Sequence, residues 1–474
     1  QVGPTSIPQT WDWCSGYHAS DSTVIGFSHT HLSGTGIGDL FDITVMPVVG
    51  EVTYARGEEN DPASGLWSYA DRTREITKPG YYSVPLVRYG ITAELTATER
   101  VGLHRYTFPA SDAAAVVFDL ENGGCWDKAT DTGFRFSDDS TRIAGWRCST
   151  GWAKNQEVYF VAEFSKPAKG ISYLQPGEID DSKMPRIAAR YARVDFDTAE
   201  GEQVLVKVAL SPVSIEGAKA NLAAELPGWD FDATAAAADK AWNDELSKVK
   251  IETEDETSKR IFYTALYHTM VAPSLFCDVN GDYRGADGKV HENPGRDTYT
   301  TFSLWDTYRA AMPLMTVLHP ERMPDIIQTM LHIADEQGRL PVWHLWGNET
   351  DCMVGNPGIV AVADAIVKGI GGFDREKAFE AIRKTAMNPD RGNGLRMEYG
   401  YIPCEMFNEA VAYDMEYALA DGAAARAAEA LGKAEDAKYF EERSHSYRNY
   451  FDPQTGFMRG RDSKKGWRTP FNAF

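Results

Sequence analysis

Carboxylates set beside aromatic rings are the most suggestive chemistry in this chain. In "SLWDTYR", Ser303 to Arg309, Trp305 offers a flat apolar face next to the Asp306 carboxylate and the Arg309 guanidinium, a combination that suits sugar hydroxyls. In "GRLPVWHLWGNETDCMVGNPGIV", Gly338 to Val360, Trp343 and Trp346 flank His344, and Asn348, Glu349 and Asp351 follow in one loop. Two carboxyl groups flanking a glycosidic bond are what glycoside hydrolysis needs, one as acid and one as base or nucleophile. Plainer uses stand beside these. "SLWD" fits a capping box in which Asp306 bonds back to the backbone of Ser303, and Glu349 and Asp351 fit solvated loop charges ahead of a helix started by Gly355 and Pro357.

A third candidate is "GFSHTHLSGTGIGDL", Gly26 to Leu40. His29 and His31 at i and i+2 point the same way on a strand, and the glycines after them let the backbone bend towards a partner. Two roles stay open for the pair: metal ligands, or hydrogen-bonded anchors between domains.

The elements that must position these groups follow from periodicity. Up to about residue 212, runs such as "ITAELTAT", "VYFVAEF" and "QVLVKVAL" alternate with period two between turn-rich segments, which predicts an antiparallel β-sandwich over 1–212. Residues 213–255 are Ala-rich and charged and suit linker helices. Beyond 256 the period is helical, with "SLWDTYRAAMPLMTVL", "PDIIQTMLHIADE", "GIVAVADAIVKGI", "NEAVAYDMEYALAD" and "AAARAAEALG" among the expected helices. Paired helices without intervening strands predict an (α/α)6 toroid over 256–474, incomplete for want of helices.

Composition narrows the partners. Lys plus Arg minus Asp plus Glu is 48 − 69 = −21, which disfavours nucleic acid and anionic membranes. The 12 Trp, 22 Tyr and 21 Phe supply stacking platforms as well as core. Six Cys without a CxxC pair give neither a zinc nor a redox motif, and spacing leaves a Cys125–Cys148 bridge open. No apolar run is long enough to span a bilayer. The chain begins with Gln and carries no signal-like segment, as expected of a processed or truncated chain.

"WDWCSGYHASDSTVIGFSHTHLSGTGIGDL", "TFSLWDTYRAAMPLMTVLHPER" and "GRLPVWHLWGNETDCMVGNPGIVAVADAIVKGI" together resemble the α-mannosidases of glycoside hydrolase family 92, over nearly the whole chain. The resemblance implies a β-sandwich packed on an (α/α)6 domain. It also implies an exo-acting, calcium-dependent, inverting enzyme, secreted or periplasmic, that trims terminal α-mannose from N-glycans or mannans; a monomer is expected. Asp306 would hydrogen-bond the mannose of the −1 subsite with Trp305 beside it. Trp13 would line the +1 side, which points to α-1,2 linkages. Glu349 and Asp351 would bind substrate beside them, and His29, His31 and Trp343 would build the pocket walls within the segments Gly26 to Leu40 and Trp343 to Asp351. The family's glycine-rich N-terminal stretch is absent here. Its general acid lies in a Glu-Gly-Asn-Ala-Trp type motif past the point where this chain stops, and its general base and most calcium ligands lie further on. The chain is therefore expected to be the leading part of a longer enzyme, with acid, base and metal ligands unassigned. Two alternatives accompany this reading: another (α/α)6 glycosidase or a phosphorylase, marked by phosphate dependence, and a carbohydrate-binding fragment that binds without turnover.

Overall fold

The computed structural model describes residues 17–32, 39–58, 61, 64–124, 126–174 and 188–473. Trp13, Cys14 and Cys125 lie outside them. The chain divides into two compact units, Gln1–Val271 with Phe276–Arg284, and Ala272–Leu275 with Gly285–Phe474.

The first unit is built on strands β1 (Thr44–Val49), β2 (Ile76–Lys78), β3 (Tyr81–Leu86), β4 (Ile91–Ala97), β5 (Val101–Phe108), β6 (Ser111–Asp119), β7 (Lys128–Phe136), β8 (Arg142–Thr150), β9 (Gln156–Phe164), β10 (Gly170–Leu174), β11 (Tyr191–Thr198) and β12 (Glu202–Ser211). They form an eight-stranded sheet, β2-β3-β4-β5-β12-β9-β8-β7, and a four-stranded sheet, β10-β11-β6-β1. Every pairing between them is antiparallel. The two sheets make a sandwich. Phe118 of β6 stacks on Phe160 of β9 with ring centroids 6.0 Å apart, so side chains of the two inner faces interdigitate as the period-two pattern requires.

The segment expected as linker helices forms α1 (Ile215–Glu225) and α2 (Phe231–Leu246), each with a side-chain N-cap, Ser214 and Asp230 respectively. Both pack on the large sheet. Leu222, Leu226 and Phe231 bury against Val101, Trp146 and Val161, which is why Val161 on the outer side of β9 is as apolar as Phe160 on the inner side. Helix α3 (Glu256–His268) closes this unit, capped by Asp255.

The second unit is helical: α4 (Leu304–Thr307), α5 (Ala311–Leu318), α6 (Met323–Gln337), α7 (Pro357–Val367), α8 (Arg375–Met387), α9 (Asn393–Tyr399), α10 (Ala410–Ala430) and α11 (Ala434–Arg443). Its core joins Ile326, Ile327 and Met330 of α6 to Ile359, Val362 and Ile366 of α7, Ile382 of α8 and the small alanines of α10. Three expectations change here. "SLWDTYRAAMPLMTVL" is two helices, because Ala310 leaves the helical region at φ −146° and ψ −51°. The "NEAVAYDMEYALAD" and "AAARAAEALG" segments are one helix, α10, which runs unbroken through Gly422. The helical period of "GIVAVADAIVKGI" sets Val367 on one apolar stripe with Ile359, Val362 and Ile366, yet it is exposed on α7.

Candidate functional site

In the second unit, a small three-stranded sheet brings the two candidate motifs together. Phe302 and Ser303 pair with His344 and Trp343, and His344 and Leu345 pair in turn with Glu349 and Asn348. Trp346 and Gly347, at φ +47° and +74°, make the turn, a geometry that matches a type I′ hairpin. The motifs holding Asp306 and Glu349 are thus neighbours in one small sheet.

Asp306 is exposed on the single turn of α4. The expected capping box is absent: the Ser303 hydroxyl donates to Asp306 Oδ2, and no side chain caps the helix. Oδ1 has no hydrogen bond among the described residues, so the carboxylate keeps one oxygen free for a ligand. Trp305 is half-buried with its Nε1–H enclosed and without an acceptor among the described residues. Arg309 lies over the Trp305 ring, 5.4 Å from its centroid, and 4.7 Å from that of Tyr308. Its guanidinium donates to Glu416 Oε1 at 2.6 Å, and the Tyr308 hydroxyl donates to Glu416 Oε2 at 2.8 Å. Burial first, and then the Glu416 carboxylate, push the Tyr308 hydroxyl above the usual phenol range.

Glu349 is spent on the backbone. Its Oε2 accepts from Val342 N–H at 2.8 Å, and its Oε1 from Trp343 N–H at 2.9 Å and Asp351 N–H at 3.0 Å. Asp351 is exposed at φ +52° and pairs with Arg339 and, at 3.5 Å, with Arg391 Nε. Arg391 also donates to the carbonyls of Met353 and Gly355. The loop 351–356 is thereby tied down before Pro357 opens α7. Trp343 is buried at 2 % exposure. His344 is buried against Thr300, whose hydroxyl stands 3.2 Å from Nδ1, and burial lowers its pKa to about 3, so it stays neutral.

His29 lies half-buried in the first unit, where its ring meets that of His104. Its Nδ1 is 2.6 Å from the carbonyl of Ile43, which only accepts, so Nδ1 carries the proton. Its bare Nε2 then accepts from His104 Nε2–H at 2.9 Å, and His104 Nδ1 accepts from the Tyr106 hydroxyl at 2.6 Å. Burial pulls His29 down to about 4 and His104 lower than its ordinary value, which keeps both rings neutral. A Cβ on Gly102 would stand 3.1 Å from the His29 ring, so the glycine makes room for the pair. His31 pairs through its backbone with Leu40. Below this chain, Arg147 is fully buried between Asp42, at 2.6 Å, and Asp127. Sequence reasoning named neither Glu416 nor His104. Glu416 sits in an alanine-rich helix, where a single acid looks like surface. The signal for His104 and Tyr106 was there, two polar rings at the inward positions of a strand.

The site offers a free carboxylate oxygen and an aromatic flank, beside a loop closed by ion pairs. Oxygen-liganded cations such as calcium take six to eight donors. The carboxylates here are individually engaged by N–H groups, guanidiniums or a hydroxyl, and none is assigned as a metal ligand.

Residues 1–211 match the Glycosyl hydrolase family 92 N-terminal domain and residues 217–474 the Glycosyl hydrolase family 92 catalytic domain. The chain belongs to glycoside hydrolase family 92. It is similar to a family GH92 α-mannosidase of Bacteroides thetaiotaomicron, 38% identical with a TM-score of 0.93, covering 99% of this chain and 64% of that one. The same protein has been solved in complex with mannoimidazole. A family GH92 inverting mannosidase from the same organism is 29% identical with a TM-score of 0.84, over 96% of this chain and 62% of that one. An uncharacterized secreted glycosidase of Arthroderma benhamiae is 26% identical over 498 residues, 94% of this chain and 59% of that protein. The chain thus spans about three fifths of the length of these relatives. No helix among the described residues is long and apolar enough to cross a membrane.

Proposed function

We propose that this chain supplies the sandwich and the sugar-anchoring part of an exo-acting, inverting α-mannosidase that removes terminal mannose from N-glycans or mannans. The observation that carries the reading is Asp306: an exposed carboxylate with one oxygen uncommitted, beside Trp305, in a chain matched end to end by both family 92 domains. A carboxylate accepts from two adjacent hydroxyls of a sugar, and such charge-assisted bonds are the stronger kind. Trp305 gives the ring an apolar side. Glu349 and Asp351 hold the wall of the pocket through the hairpin and loop they pin. His29, His31 and Trp343 serve as framework, and Trp13 is assigned to the +1 side.

Inversion requires an acid and a base on opposite faces of the sugar, about 6.5–9.5 Å apart with a water between them. Neither role is given to a residue described here. Calcium belongs to the same reading through family membership, and when bound it would grip sugar hydroxyls and favour a distorted ring. Secretion rests on the fungal relative's description.

The test is mannose release from an α-1,2-mannobiose by the full-length protein, with and without a chelator, monitored by NMR to read the anomer first formed. β-Mannose as first product, lost with EDTA and regained with calcium, supports the reading. Inactivity on all α-mannosides overturns it.

A further inference from the structure

The two motifs of the site meet at a side chain that belongs to neither. Glu416, on α10, has one carboxylate oxygen on Arg309 Nη2 at 2.6 Å and the other on the Tyr308 hydroxyl at 2.8 Å. Tyr308 and Arg309 directly follow α4, so this single carboxylate clamps the two residues that end the turn bearing Trp305 and Asp306. The loop 351–356 rests against the same residue. A Cβ on Gly355 would lie 2.5 Å from Glu416 Cβ, and Gly355 sits at φ +80°, where only glycine is comfortable.

The chemistry explains why the clamp is needed. Asp306 is the neighbouring carboxylate on Arg309's own segment and adds to the field that raises the guanidinium's pKa, after the Glu416 hydrogen bond that dominates it. Without Glu416, Arg309 is left to pair with Asp306, and the oxygen needed by a sugar is neutralised by the protein itself. The Glu416 side chain is 18 % exposed and that of Asp306 is open to solvent, so the more sheltered acid is the stronger competitor for the guanidinium.

We propose that Glu416 is a positioning residue of the sugar site: it draws Arg309 away from Asp306 and holds the α4 turn, so that Asp306 meets the substrate unpaired. The proposal rests on the reading that Asp306 contacts the substrate. Steady-state kinetics of the full-length protein on 4-nitrophenyl α-mannoside test it, together with amide hydrogen exchange. Glu416→Gln should lower kcat/KM about tenfold, mostly through KM, and in an Asp306→Ala background the same change should cost less than about twofold, because the two act through one path. Equal losses in both backgrounds overturn it. Exchange of amides 304–310 should quicken in Glu416→Ala while those of α6 stay slow, and unchanged exchange at 304–310 overturns the clamp whatever the kinetics. If the wild type turns over no α-mannoside, the functional reading falls and exchange alone judges the clamp.

Discussion

Arg147 and Arg309 are each held by acidic partners, and they do opposite work. Arg147 lies at 0 % exposure in the sandwich, bonded to Asp42 and Asp127 and to the Leu120 carbonyl, with Ser149 and Gln156 completing the set. Arg309 is 46 % exposed on its side chain, bonded to one carboxylate and resting on two rings. In the sandwich these charges are paired with one another out of reach of solvent. In the helical unit Glu416 takes Arg309, and Asp306 keeps one oxygen without a hydrogen bond among the described residues. A fold can spend the same pairing on shape or on exposing a reactive group, and burial decides which.

The comparison breaks most sharply at Arg147. Arg147→Met leaves two buried carboxylates uncompensated and should cost about 3–5 kcal/mol in urea unfolding, since removing one partner of a buried pair is far costlier than its net worth. Asp306→Ala should leave the melting temperature alone and lower kcat/KM about a hundredfold, near 2.7 kcal/mol of transition-state binding. Loss of stability with unchanged turnover would reverse the roles assigned to the two arginines. Gly355→Ala should destabilise by about 1–3 kcal/mol, through the strained φ and the crowding at Glu416, and reduce activity along with it.

The smallest effects are in pH, and two groups of the sandwich pull against each other. Asp39 is buried with its Oδ1 unpartnered among the described residues, and burial followed by the charge of Asp127 raises its pKa to about 7. Its folded pKa lies above the unfolded value, so the stability it contributes is present in acid and lost as pH rises towards 7. Asp39→Asn should therefore gain about 1 kcal/mol at pH 8 and little at pH 4. His29 and His104 have lowered pKa values, so the unfolded state takes up protons first and stability falls as pH drops from 6.5 towards about 4. His104→Gln should flatten that loss. Chemical unfolding of the three proteins across this range separates the contributions.

Much of this architecture is legible in the sequence because the sandwich strands and the helices each bury one face and so write their period into the chain. The contiguous motif "SLWDTYR" brought Trp305 and Asp306 into focus by residue type, and the family likeness added the sugar that Asp306 would hold. What stayed hidden depends on contacts far apart in sequence. Glu416 reaches back to Tyr308 and Arg309, and His104 reaches back to His29, and neither distance leaves a local pattern. Glycine misled at Gly422, where neighbours on both sides favour helix strongly enough to carry the chain through. The carboxylate of Glu349 looked available because its loop is polar, yet three main-chain N–H groups close on it.

The row of hydrogen bonds from Tyr106 through His104 and His29 to Ile43 runs in one sense only, each group giving its proton to the next. Reversing a single member would leave two donors or two bare nitrogens face to face. Positions 29, 102, 104 and 106 are consequently coupled: replacing His29 removes the need for glycine at 102 and for the imidazole at 104, so a double substitution at 29 and 104 should cost less than the sum of the two single ones.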